Sequence, residues 1–160
     1  ASKILSFTKN MEQKGLTPST TFLDGKLLNI GINKCISGKE YKIKAPIYQI
    51  TRLRLADGIP IMKEIRYISL KQCPGIDEFD LEQSLYEIYK KHYNLHINYI
   101  EQVLSSIILS GETLKIFDLT NDTPGFLVEG VTFHGNNQIL EMEESIYRGD
   151  KYTFSVEAVP

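Results

Sequence analysis

The chain has 160 residues, 42% of them hydrophobic and 24% charged, a size and mix that suit one globular domain able to bury its own core. Eighteen Lys and Arg against 20 Asp and Glu leave a formal charge of −2, so neither the overall charge nor any basic run argues for nucleic-acid binding by these residues. No apolar stretch approaches the ~20 residues of a membrane span, no leader pattern opens the chain, and Ala1 in place of Met fits a piece of a longer protein.

In chain order, Ile4 to Lys14 reads as a short helix with Ile4, Phe7 and Met11 on one stripe, ended by Gly15 and Pro18. Phe22 to Ile30 alternates weakly, as a strand does. Gly31 to Lys44, with Gly31, Asn33, Gly38 and several lysines, reads as loop. Ile47 to Leu55 is a strand, Asp57-Gly58 a turn and Ile61 to Leu70 the return strand.

Asp80 with Gln83 has capping-box spacing and predicts a helix to about Tyr93, with Leu81, Leu85, Ile88 and His92 inward. Asn98 to Leu109 reads as a strand, and Ser110 caps a short helix from Glu112 to Phe117. Pro124-Gly125 reads as a turn. Strands follow over Phe126 to Phe133, Ile139 to Tyr147 and Tyr152 to Val159, with short links that make consecutive strands antiparallel neighbours. The sum is an α+β domain: a mostly antiparallel β-sheet with flanking helices on one face.

The chemistry-bearing candidates sit on these elements. Arg52 and Arg54 alternate with Leu53 and Leu55, so both guanidiniums leave one strand face, their roots roughly 6–7 Å apart. Paired forked donors suit a phosphate or carboxylate, and the same pattern is also that of solvated surface. Glu64 lies on the return strand. A two-residue loop would pair Arg54 with Ile61 and turn Glu64 away, whereas a three- or five-residue loop would bring it beside the arginines. Glu141, Glu143, Ser145 and Tyr147 alternate with Leu140, Met142 and Ile146, a polar face that either binds ligand hydroxyls or meets solvent. The central helix contributes Ser84 and Tyr86, and Ser84 lies in its first turn, where free backbone N–H groups favour anions.

No nucleophile elbow, P-loop, dinucleotide fingerprint or zincin motif occurs, so no catalytic residue and no cofactor is expected. His92, His96 and His134 have no metal-ligand spacing. Cys35 and Cys73 are far apart with no CxxC, the usage of reduced thiols in a cytoplasmic protein.

Arg52-Leu53-Arg54-Leu55-Ala56-Asp57-Gly58-Ile59-Pro60, Glu64, Ser84-Leu85-Tyr86 and Tyr147-Arg148-Gly149-Asp150-Lys151-Tyr152-Thr153-Phe154 occur in that order. With Ser6 to Met11 and Gly15 to Pro18, this series resembles the UTRA effector-binding domain of GntR-type transcriptional regulators, the HutC branch, over nearly the whole chain. The resemblance implies a chorismate-lyase-like fold, a small-molecule effector, a homodimer, and DNA contact only through a separate N-terminal winged helix-turn-helix absent from these residues.

The resemblance also implies site roles. Arg52 and Arg54 would anchor an anion, Ser84 and Tyr86 would hold its phosphate, Glu64 would reach the ligand, and Glu141 and Tyr147 would contact its sugar side. A sugar phosphate or amino-sugar phosphate is the implied effector, and an odd hairpin loop would be needed to place Glu64. Three places depart from the family pattern: Gly31 to Ala45 where the family carries a short helix, Leu104 to Ile108 where sugar-phosphate sensors carry smaller polar residues, and Glu129-Gly130 at a position often basic. The alternative on the same fold is a lyase acting on an aromatic carboxylate.

Overall fold

The computed structural model describes residues 2–4 and 7–160. Its frame is a six-stranded antiparallel sheet in the order β2-β5-β6-β9-β8-β7. The strands are β2 (Pro18–Leu28), β5 (Ile47–Ala56), β6 (Ile59–Ser69), β9 (Gln138–Arg148), β8 (Thr123–His134) and β7 (Ile97–Leu109). Around it lie β1 (Ser2–Ile4), α1 (Phe7–Gln13), the hairpin β3 (Ile32–Ile36) and β4 (Lys39–Ile43), α2 (Leu85–Tyr93), α3 (Glu112–Ile116) and β10 (Val156–Ala158).

One sheet face decides where a site can form. Along β5 it presents Ile50, Arg52, Arg54 and Ala56; along β6, Ile68, Arg66, Glu64 and Met62; along β9, Glu141, Glu143, Ser145 and Tyr147. Polar side chains thus fill the middle of the β5 and β6 rows and apolar ones their ends, while β9 adds Glu141, Glu143 and Ser145 before Tyr147. Helix α2 packs Leu85, Ile88 and Tyr89 on Ile50, Ile68 and Leu140 at one end. Helix α1 packs Phe7 and Met11 on Met62, Val128 and Tyr147 at the other. Each apolar patch buries its own helix, and the charged strip lies between them, bordered by Phe7 of α1 and Tyr86 of α2.

The opposite face is covered at one end by the β3–β4 hairpin, whose Ile36 and Ile43 pack with Ile47, Val131 and Met142. The Gly31 to Lys44 segment is therefore a hairpin and not a loop. Its turn, Ser37-Gly38, has both residues at positive φ, as a two-residue hairpin requires. Alternation was blurred because an inward position holds Lys34, whose ammonium lies 3.3 Å from Glu129 and 2.7 Å from Glu144.

Other boundaries also differ from expectation. Ile4 pairs with Val156 in a small β1–β10 sheet, so α1 begins at Phe7; Ser6 lies outside the described residues. The last strand is three residues long and pairs with β1, not β9. Asp80 does not cap α2: its carboxylate accepts from the Glu82 N–H in a local turn. The cap is Ser84, which accepts from Glu87 N–H at 3.4 Å, the Ser-x-x-Glu spacing of a capping box. Leu81 and Gln83 accordingly precede the helix, and His92 is exposed against Phe79.

Pro124-Gly125 lies inside β8. A Cβ on Gly125 would sit 2.7 Å from the Tyr147 carbonyl oxygen and 2.7 Å from Leu109 Cδ2, so glycine serves close approach there and not a turn. Gly125→Ala is expected to destabilise the domain by about 1–3 kcal/mol, read as a lowered urea midpoint; an unchanged midpoint would refute the close contact.

Candidate functional site

Glu64 shares the arginine face, but by a different route from the odd loop expected. The turn is the two-residue Asp57-Gly58, pairing Ala56 with Ile59 and Leu55 with Pro60. A bulge then shifts the register, so that Arg54 pairs with Met62 and Arg52 with Glu64. One extra residue, Ile61, reverses the parity that the turn had set.

Glu64 is fully buried and stands among three guanidiniums. Arg52 Nη2 lies 2.5 Å from it, Arg54 Nη1 3.2 Å, and Arg66 Nε 3.5 Å. These cations hold its carboxyl down to about 2 against the cost of burial. The Arg66 Nε contact is an ion pair whose angle makes no hydrogen bond. Arg66 also binds Glu141 at 2.6 Å and Glu143 at 3.2 Å; burial opposes its charge, yet these carboxylates raise its pKa well above the ordinary value.

The two predicted arginines are not equivalent. Arg52 is buried and commits four of its five N–H groups: Nε and Nη2 to Glu64, and Nη1 to the carbonyls of Leu81 at 3.1 Å and Gln83 at 2.9 Å. It ties the segment before α2 to the sheet and so sets where Ser84 stands. Arg54 binds Glu64 and, at 3.3 Å, the Thr8 hydroxyl, and lies 5.0 Å from the Phe7 ring centroid. Its Nε is buried without an acceptor, and burial lowers its pKa.

Between α1, α2 and this face lies a cavity of about 980 Å³, at the upper end of the size of small-molecule pockets. Arg52, Arg54, Glu64, Ser84, Tyr86 and Tyr147 all line it. Ser84 spends its oxygen on the Glu87 N–H, which leaves its hydroxyl hydrogen to donate. Tyr86 lies 6.0 Å over the Arg66 guanidinium. Glu141 does not line the cavity: it is buried behind Arg66, where the Tyr89 hydroxyl and Arg66 donate to it.

Sequence reasoning missed Arg66 and Gln102 and gave Glu143, though on the polar face of β9, no site role; all three line the cavity. Arg66 was legible, standing two residues from Glu64 on the same strand face. Gln102 was not, because it comes from β7, two strands beyond β9. The β7 residues at the cavity are Ile100 and Gln102, not the Leu104 to Ile108 stretch. Arg148, in the Tyr-Arg-Gly-Asp series, is a structural clamp: it pairs with Asp150 at 2.8 Å and donates to the carbonyls of Pro60 and Phe117. Among the described residues no group of three or more His, Cys, Asp or Glu is placed to hold a metal ion, and no helix is long and apolar enough to cross a membrane.

The UTRA domain family profile matches residues 39–153. The transcriptional repressor NagR of Bacillus subtilis is 28% identical over 152 residues, 94% of this chain and 62% of that protein. The transcriptional repressor PhnF of Mycolicibacterium smegmatis is 25% identical over 114 residues, 71% of this chain and 46% of that protein. The chain thus spans between under half and about three fifths of these relatives. The crystal structure of the PhnF effector domain superposes with a TM-score of 0.76 at 21% identity, over 92% of this chain and 91% of that one.

Proposed function

Because the chain belongs to the UTRA domain family, the effector-binding domains of GntR-type transcriptional regulators, we propose that its cavity binds a small anionic metabolite, a sugar phosphate or amino-sugar phosphate. Binding would modulate DNA contact by a separate winged-helix domain in a cytoplasmic homodimer. The observation that carries this reading is the side of the cavity where Arg54, with an unpartnered Nε, lines the same space as Ser84 and the start of α2. Helix N–H groups, the macrodipole and a guanidinium all favour an anion there.

In this reading Arg54, Ser84 and Tyr86 take the phosphate, while Tyr147 and the β9 wall meet the sugar. Arg52 positions the helix start, Glu64 orients the guanidiniums, and Glu141 acts through Arg66. The effector would act by population shift, favouring the arrangement of α2 against the sheet to which it binds more tightly.

A thermal-shift screen of hexose 6-phosphates, amino-sugar phosphates, free sugars and organic acids tests the assignment. At a hundredfold excess over Kd, a true effector adds about 2.7 kcal/mol, a rise of roughly 5–10 °C for a domain of this size. Stabilisation by free sugars or organic acids but not by any phosphate would reject the phosphate class.

A further inference from the structure

Three arginines, Arg52, Arg54 and Arg66, face three carboxylates, Glu64, Glu141 and Glu143, on the cavity side of the sheet. The set is formally neutral, so a dianion entering this enclosed space brings charge that the floor does not balance. The carboxylates are unequally placed: Glu64 has three cations, Glu141 and Glu143 share one, and of those two only Glu143 lines the cavity. Glu64 touches three guanidiniums. Glu141 has Arg66 at 2.6 Å, with the Tyr89 and Thr132 hydroxyls. Glu143 has one cation, Arg66 at 3.2 Å, and two neutral donors, Gln102 at 3.0 Å and Ser145 at 2.8 Å. It is 4% exposed and lines the cavity.

The polar and titratable groups around Glu143 come from several elements, while β8 brings only Gly130 opposite it. Strand β6 brings Arg66 and Glu64, its own strand brings Glu141, Ser145 and Tyr147, β7 brings Gln102, α2 brings Tyr86, and the segment before β10 brings Tyr152. Arg52 and Arg54 of β5, and Lys9 and Glu12 of α1, line the same cavity.

We propose that Glu143 is the proton-accepting carboxylate of the pocket: an anion enters together with one proton, taken from the buffer and carried on a Glu143 oxygen. This inference rests on the anion-pocket reading above. Burial already pushes the Glu143 carboxyl above its ordinary value, with Arg66 pulling it back. A bound anion pushes in the same direction as burial. Glu64, held near 2 by its arginines, takes no proton at neutral pH.

The test is calorimetric titration of this chain with inorganic sulfate and with glucose 6-phosphate from about pH 5.5 to 8, in buffers of different ionisation enthalpy. Sulfate stays a dianion throughout, so any proton taken up with it goes to the protein. The expected result is uptake approaching one proton per sulfate, with affinity falling up to about tenfold per pH unit across the linked range. In Glu143→Gln the uptake disappears and the affinity becomes flat with pH. Binding without proton uptake by the unaltered chain, or uptake that persists in Glu143→Gln, would overturn the proposal and leave the anion pocket standing. If neither anion binds either protein at any pH, the anion-pocket reading falls and this inference falls with it.

Discussion

Arg54→Ala is expected to weaken binding of a phosphate-bearing effector by about 2–4 kcal/mol, roughly thirty- to a thousandfold, with the fold retained. Arg54 lines the cavity and commits one N–H at each Nη, to Glu64 and Thr8, so a ligand oxygen would gain a charge-assisted bond from a remaining Nη hydrogen without breaking an existing one. Its removal costs little structure, because Glu64 keeps Arg52 at 2.5 Å and Arg66 at 3.5 Å. Arg52→Ala should behave differently. It frees the Leu81 and Gln83 carbonyls, so the segment before α2 should lose amide-exchange protection and stability should fall even without ligand. Calorimetry on both variants, with exchange on residues 79–86, separates a ligand contact from a positioning residue. Effector affinity in Arg54→Ala equal to that of the unaltered chain would remove Arg54 from the site.

Glu64→Gln is expected to destabilise the domain by about 3–5 kcal/mol, the cost of leaving buried charges uncompensated. Three guanidiniums lose the carboxylate they share, and two of them are already short of acceptors at Nε. The same residue predicts the acid limb of stability. Its carboxyl is lowered from 4.5 to about 2 in the folded chain. The stabilisation is therefore complete above the unfolded value and lost as pH falls through the folded one. Glu143 runs the other way: its raised value contributes stability that is lost as pH rises through it. Urea midpoints measured from pH 5 down to about 2 should fall steeply in the unaltered chain and much less in Glu64→Gln. Parallel slopes in the two proteins would show that Glu64 is not the group responsible.

Much of this domain was legible residue by residue. The period-two alternation from Ile47 to Leu55 and from Ile139 to Tyr147 marks real strands, β5 and β9, because a half-buried pleated surface forces that pattern. Where local signals misled, a tertiary partner had overridden them. Lys34 sits at an inward position because Glu129 and Glu144 await it on the sheet, which hid the β3–β4 hairpin. Asp80 has the residue type of a cap and lies four residues too early, because Arg52 holds the Leu81 and Gln83 carbonyls outside the helix.

Local periodicity was enough to put the paired arginines on one strand face and to mark the polar row of β9, since strand and helix periods follow from backbone geometry alone. The kinship with UTRA domains was equally legible, in an ordered series of residues. How the charges pair came from the packed fold. A bulge at Ile61 turned Glu64 toward the arginines, and packing brought Arg66, Glu143 and Gln102 onto one floor. It also divided two arginines that look alike in the sequence, Arg52 bound into the frame and Arg54 left facing the cavity. Pairing depends on which carbonyls and carboxylates lie within about 3 Å of each guanidinium, and the distances are set by strand register and helix placement, which no local pattern encodes.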